Sequence, residues 1–336
     1  MKSVMLADDK NRAKGVYPDF ICAKMTESFD FNKDDIFSKE EVMAEPERFH
    51  DVEYIFSTWS MPVFTEEEIR QCFPKLKAVM YAAGSVQFFA RPFINCGVKV
   101  FSAWAANAIP VADVTLALIL LANKGYLRSA QLTSRSADQR DAGHAFVTNS
   151  TGNYEGRVGI IGVGMIGAQV CRFLKNHRLN VVAFDPFCSA EKAAELGITL
   201  VDLPELFSTC NVISNHLANN EQTQGILNYE LFSQMKPYAV FINTGRGAQV
   251  VEADLSRALE EVPTRTAVLD VTEPEPPKED SPFFGKENVF LTPHLAGSTS
   301  NEVWRMAEYM YEEAVLLEKG EPTHYNVTLK MLETMA

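Results

Sequence analysis

Three glycines, Gly162, Gly164 and Gly167, constrain this chain more than any other feature, because of the stretch that holds them: Val158-Gly159-Ile160-Ile161-Gly162-Val163-Gly164-Met165-Ile166-Gly167. An apolar run enters the motif, and an amphipathic run with Val170, Phe173 and Leu174 on one face leaves it. The order is therefore strand, tight turn, helix. In such a G-x-G-x-x-G the first glycine permits the turn, the second lets backbone approach a pyrophosphate, and the third allows close helix–strand packing. The N–H groups of Met165 and Ile166, at the positive end of the helix dipole, then face the phosphates. A kinase glycine loop would continue into a strand and would need a catalytic-loop Asp and Asn. Neither is found in the sequence.

The next apolar run, 181–184, ends at Asp185. An acid about 20 residues beyond the glycines is placed to take the adenosine ribose hydroxyls. Asp185 would repel a 2′-phosphate, and Pro186-Phe187-Cys188-Ser189 offers no cation to hold one, so NAD is expected as cofactor rather than NADP. Downstream the alternation is regular. Strands are expected at 158–161, 181–184, 212–214, 239–243, 266–270 and 289–292, with helices at 167–176, 190–196, 204–208, 228–235 and 252–261. Such a series closes one doubly wound parallel sheet of the Rossmann kind, whose ligands lie outside the carboxyl ends of the strands.

The first hundred residues repeat the α/β alternation with different punctuation. Strands are expected at 3–6, 52–57, 76–81 and 98–101, and Thr65-Glu66-Glu67-Glu68 is a capping box that opens a helix through Phe73. The connectivity of residues 10–50 is left open by the pattern. Pro110 and Asp113 suit the first turn of a helix running to about Lys124, with Gly125 as its C-cap. That helix is apolar nearly all round, so it should be buried where two domains or two subunits meet. Residues 129–153 are polar and read as a loop or projecting arm, or equally as a mobile linker. After His294, a long helix over 301–319 carries Val303, Met306, Met310, Ala314 and Leu317 on one face and ends at Gly320 and Pro322. It is expected to return to the first domain. The domains would then be 1–103 plus 297–336, binding substrate, and 104–296, binding dinucleotide.

Composition narrows the partners. At 336 residues the chain can hold two cores, and a net charge of -13 argues against nucleic acid or an anionic membrane. The most apolar run, 115–122, is too short to span a bilayer, and the N-terminus is a strand-like run and not a signal peptide. The 6 cysteines are scattered without a C-x-x-C, which suits a reducing, cytoplasmic setting. His50, His144, His177 and His324 have no partner pattern, so no metal site is expected.

Three polar residues stand just beyond expected strand ends: Arg246, Glu275 and His294. Singly each has an ordinary reading, as a solvated charge, a turn residue and a loop residue. Together, at the sheet edge that carries the glycine turn, they fit reduction of a 2-oxo acid or its reverse. Arg246 has the planar fork to hold a carboxylate bidentately. His294 would give the carbonyl oxygen its proton, or take it back. Glu275 would bond the far nitrogen of His294, fix its tautomer and support the protonated ring. Asp270 would accept from the nicotinamide carboxamide. His216 reads as structural or cofactor-lining.

The sequence at this point resembles the D-isomer-specific 2-hydroxyacid dehydrogenases. Four motifs carry the resemblance: Gly162-Val163-Gly164-Met165-Ile166-Gly167, Asn243-Thr244-Gly245-Arg246-Gly247, Asp270-Val271 with Glu275-Pro276, and Thr292-Pro293-His294-Leu295-Ala296-Gly297. The resemblance implies Arg246, Glu275 and His294 as the catalytic set and Asp185 on the ribose. It implies Thr244 among the cofactor contacts and a substrate cleft between a Rossmann domain and a smaller flavodoxin-like domain. It also implies a homodimer. Backbone N–H groups of Ala83, Gly84 and Ser85 would meet the substrate carboxylate. One departure stands out: in 81–89, Val86 and Phe89 occupy places where acids are common, and Tyr81, Phe88 and Phe89 make the loop bulky. A substrate with an apolar side chain is the expectation that follows. Two rival readings are a non-enzymatic NAD sensor of the co-repressor type, for which no disordered recruitment tail is seen, and a related enzyme acting on formate, which would want a more polar wall.

Overall fold

Long β-branched and aromatic runs bounded by helical segments give parallel strands, and this chain builds two such sheets. The computed structural model describes Lys2–Glu333. These residues form two compact units, one reaching to Ala108 and resuming at Ser298, the other Ile109–Gly297.

The first unit contains β1 (Lys2–Leu6), β2 (Ile36–Phe37), β3 (Val52–Ser57), β4 (Ala78–Tyr81) and β5 (Lys99–Ser102). Their order is β5-β4-β3-β1-β2, the flavodoxin-like arrangement, and Asn326–Val327 adds an antiparallel edge beside β5. The strands are apolar on both faces because helices cover both. Tyr54 and Phe56 of β3 point to one core with Met306, Met310 and Ala314 of helix Glu302–Lys319, while Ile55 points to the other with Phe49, Phe73 and Phe93. Glu313, buried on that same helix, accepts the N–H groups of His324 (2.9 and 3.0 Å) and Tyr325 (3.1 Å), which sets the returning segment against β5.

The second unit contains β6 (Tyr154–Ile161), β7 (Arg178–Phe184), β8 (Thr199–Leu200), β9 (Val212–Asn215), β10 (Val240–Asn243), β11 (Thr266–Leu269) and β12 (Val289–Leu291) in the order β12-β11-β10-β9-β6-β7-β8. All pairs are parallel, and the order reverses at β6, as in a Rossmann sheet. Register fixes the functional edge. Phe184, Ile161, Asn215, Asn243, Leu269 and Leu291 are neighbours across successive strands, so six carboxyl ends finish in one row.

Some features differ from the sequence reading, and the connectivity of residues 10–50, which it left open, is now defined. The apolar helix is Trp104–Asn123, starting well before Pro110, which sits inside it and leaves one carbonyl of the ladder without its N–H partner. At that length it could cross a bilayer by composition alone, so the argument from a short apolar run does not hold. Its Ala112, Ile119 and Ala122 instead pack in the core of the second unit. Residues 129–153 are no loop. Helices Tyr126–Thr133 and Arg140–Asn149 form a hairpin, and they meet closely at Gly143, where a Cβ would stand 3.0 Å from the Ser129 carbonyl oxygen. The polar composition that suggested a loop belongs to short helices with one covered face. Within residues 10–50, helices Lys10–Val16, Asp19–Phe29 and Lys39–Ala44 flank β2. β2 and β8 are two-residue strands, too short for an alternation to register.

Candidate active site

The glycine turn has three different surroundings, one for each residue. Gly162 has φ +86, and a Cβ there would lie 2.7 Å from the His216 carbonyl oxygen. A Cβ on Gly167 would lie 2.0 Å from the Gly162 oxygen, so helix Met165–Leu174 can start only this close to its strand with glycine present. At Gly164 a Cβ would meet nothing within 4 Å. Open space above a helix N-terminus, with the Met165 and Ile166 N–H groups at its base, fits a pyrophosphate. Asp185, at the end of β7, accepts from Val163 N (2.7 Å) and Phe187 N (2.8 Å), so its carboxylate is fixed beside the turn. Lys192, from helix Ala190–Leu196, donates to the Val163 carbonyl (2.7 Å), a cation near the turn that lies outside the 186–189 window of the sequence reading.

His216 is buried beside this turn. Its Nε2 pairs with Ser214 Oγ at 2.9 Å, its Nδ1 has no partner, and burial pushes its pKa down to about 4. Thr244 is buried and shares a 3.0 Å hydroxyl bond with Thr115 of helix Trp104–Asn123.

Arg246, Glu275 and His294 all lie beyond the strand-end row. His294 Nδ1 is 2.6 Å from Glu275 Oε1. A carboxylate oxygen only accepts, so Nδ1 carries the proton and Nε2 is the nitrogen left to exchange one. Both side chains remain partly open, at 43% and 37% exposure, as a pair that must reach a ligand requires. His294 itself sits at φ +54, held there by Asp270: its backbone N–H donates to the Asp270 carbonyl (3.0 Å), and the Asp270 carboxylate accepts from Thr292 Oγ1 (2.5 Å), Leu295 N (2.8 Å) and Ala296 N (2.9 Å). Asp270 therefore acts first on the His294 loop. Its fourth lone pair is the one left for another donor.

The Arg246 guanidinium donates to the Gly245 carbonyl (2.8 Å). Burial lowers its pKa from the ordinary value, and the nearby Glu275 charge works in the other direction. Its loop and the Glu275 loop touch through backbone, since a Cβ on Gly247 would fall 2.1 Å from the Thr272 carbonyl carbon. Glu252 Oε1 accepts from Glu273 N (2.9 Å), which ties the Glu275 loop to helix Glu252–Glu261. Gly247 was read only as part of a motif, without its packing role, and Glu252 only as the start of a helix, because neither differs in type from ordinary loop and helix residues.

In the first unit, the loop over 82–89 is anchored by Ser102 Oγ, which donates to the Ala83 (2.9 Å) and Gly84 (2.5 Å) carbonyls. Ser85 stands next in that loop, half-buried. Tyr81, Val86 and Phe89 are in the core of this unit, so of the bulky residues only Phe88, at 50% exposure, is available to a ligand. Among the described residues no group of three or more His, Cys, Asp or Glu is placed to hold a metal ion.

The family model for the D-isomer specific 2-hydroxyacid dehydrogenase NAD-binding domain matches residues 116–296, more than half of the chain. The chain belongs to that family. Its NAD-binding domain is the second unit, and NAD is its cofactor. Curated relatives include a D-3-phosphoglycerate dehydrogenase of Archaeoglobus fulgidus, 31% identical over 70% of this chain and 44% of that protein. A glyoxylate reductase of Korarchaeum cryptofilum is 29% identical over 89% of this chain and 90% of that one. This chain spans less than half the length of the phosphoglycerate dehydrogenases it matches. Among solved structures, the apo D-mandelate dehydrogenase of Rhodotorula graminis superposes with a TM-score of 0.81 over 97% of both chains at 21% identity, a likeness of fold. The family resemblance and the two-domain α/β architecture read from the sequence both hold.

Proposed function

We propose that the protein is an NAD-dependent oxidoreductase interconverting a 2-oxo acid and the corresponding D-2-hydroxy acid. The observation that carries this reading is the 2.6 Å bond between His294 and Glu275, at the strand-end row that also carries the glycine turn. Bound NAD supplies or accepts the hydride. Arg246 holds the substrate carboxylate by its guanidinium fork. His294 Nε2 gives a proton to the carbonyl oxygen during reduction and removes it during oxidation. Glu275 keeps the ring in the tautomer that leaves Nε2 free and balances the charge that forms on it. A sensor that only bound NAD would have no use for an imidazole held this way.

Within the first unit, Gly84 and Ser85 are proposed to offer N–H groups to a substrate carboxylate, whereas the Ala83 N–H expected to join them is already donated to the Tyr81 carbonyl (2.9 Å). The exposed Phe88 supports a substrate with an apolar side chain. A homodimer is proposed as the working form. Helix Trp104–Asn123 is apolar yet under half buried, and Leu121, Tyr126 and Val147 of this helix and its hairpin are exposed. All 6 cysteines are free, which supports a reducing compartment such as the cytoplasm.

Purified protein with NADH should reduce at least one member of a panel containing glyoxylate, hydroxypyruvate and branched and aromatic 2-oxo acids. NADH binding without turnover of any of them would overturn the assignment. A preference for glyoxylate would overturn the apolar-substrate reading alone. Sedimentation equilibrium reads the dimer directly.

A further inference from the structure

Directly beneath Arg246 lie three fully buried amides: Asn215 at the end of β9, Asn243 beside it at the end of β10, and Gln249 just past the loop. They form one hydrogen-bonded cluster. Asn215 Nδ2 donates to Asn243 Oδ1 (3.0 Å) and to Gln249 Oε1 (2.9 Å). Asn243 Oδ1 also accepts from Gly245 N (3.1 Å), and Asn243 Nδ2 donates to the Arg246 carbonyl (3.0 Å). Gln249 Oε1 also accepts from Arg246 N (3.2 Å), and Gln249 Nε2 donates to the Leu217 carbonyl (3.3 Å). Asn215 Oδ1 accepts from Leu217 N (3.3 Å).

Two facts make this more than ordinary satisfaction of buried polar groups. The first is location. The other residues of the strand-end row, Phe184, Ile161, Leu269 and Leu291, are apolar, and the two amides fall on β10, the strand that Arg246 follows, and on its neighbour β9. Burying an amide is costly unless every partner is met, so an apolar residue would fill those places more simply. The second is direction. Both oxygens that Asn215 faces are already committed to backbone N–H groups, those of Gly245 and Arg246, so Asn215 can only donate there. The cluster therefore fixes the Arg246 peptide at its N–H and its carbonyl together. It also fixes the Gly245 peptide, whose carbonyl the guanidinium itself bonds.

We propose that Asn215 and Gln249 are positioning residues, which aim the Arg246 guanidinium: Gln249 holds the Arg246 N–H, and Asn215 orients both Gln249 and Asn243, the amide that holds the Arg246 carbonyl. This rests on the reading of Arg246 as the carboxylate-binding residue. The sharpest variant is Asn215→Asp, equal in size but turning the donor into an acceptor against two oxygens. Kinetics with the best 2-oxo acid are compared for the wild type, Asn215→Asp, Arg246→Ala and the double variant. Asn215→Asp should raise KM for the 2-oxo acid about tenfold or more while the Kd for NADH stays within about twofold, and it should add nothing once Arg246 is Ala, because the two act as one unit. Asn215→Leu, which removes the donor without opposing charge, carries the same cycle if the Asp variant does not fold. An unchanged KM, or effects of Asn215 and Arg246 that multiply independently, would overturn the proposal. A wild type without turnover, or an Arg246→Ala variant kinetically equal to wild type, would instead overturn the functional reading beneath it.

Discussion

Two loops of the second unit hold a charged side chain by its backbone, and they use opposite chemistry to do it. Around Arg246 the holders are neutral amides, Asn215, Asn243 and Gln249, which give and accept in a fixed sense. Around His294 the holder is the Asp270 carboxylate, which only accepts and gathers one hydroxyl and two backbone N–H groups. An amide cluster depends on direction, because reversing one member sets like against like. A carboxylate depends on charge and tolerates any donor aimed at it. The neutral arrangement lies under a half-buried cation and adds no second charge to the interior; the anionic one lies under a half-exposed imidazole, the proposed proton carrier.

The largest test of this contrast is His294→Ala. If the anionic side exists to present a proton carrier, kcat should fall by about 10²–10⁴-fold while the NADH Kd from fluorescence titration is unchanged. A variant with kcat intact would leave the Asp270 scaffold with nothing to present. Next is acid. His216 adjoins the amide side and is the titrating group there, with burial lowering its pKa from 6.5 to about 4. Above pH 6.5 it is neutral whether the chain is folded or not. Between 6.5 and 4 the unfolded chain takes a proton that the folded one refuses, so the His216 contribution should lower stability by about 3 kcal/mol across that window and add no further loss below it. Urea unfolding of wild type and His216→Asn at stepped pH measures this, and parallel curves for the two would refute it. The smallest effect is expected for Asp270→Asn. Its amide would face the Ala296 N–H donor to donor, costing about 2 kcal/mol in stability and lowering kcat more than it raises KM. A variant as stable and active as wild type would show that the His294 loop holds itself.

How much of this was legible beforehand follows the same division. Arg246, Glu275 and His294 could be read because each is a charged or titratable residue placed just past an apolar strand, and parallel register carries such positions to one edge. Asp185 and the glycines were legible from spacing together with their context, an apolar strand before the turn, an amphipathic helix after it and a second strand ending at the acid. Asn215 and Gln249 were not, since a single amide at a strand end looks like any turn residue until its partners are known. Asp270 was read with one ligand in mind, and its three loop bonds depend on a backbone path that spacing does not reveal. The hairpin over 126–149 was missed because polar helices with one covered face resemble loops in composition. The short strands β2 and β8 left no periodicity to find.

The first unit is assembled from both ends of the chain, and this governs the order in which a ribosome can complete it. While residues up to Ala108 emerge, the edge of β5 is bare and one core lacks Met306, Ala307, Met310 and Ala314. The whole of Ile109–Gly297 is synthesised before those side chains exist. Nascent chains stalled just after Gly297 has cleared the ribosome should therefore carry a protease-resistant nucleotide-binding body behind an N-terminal portion that is still readily cut.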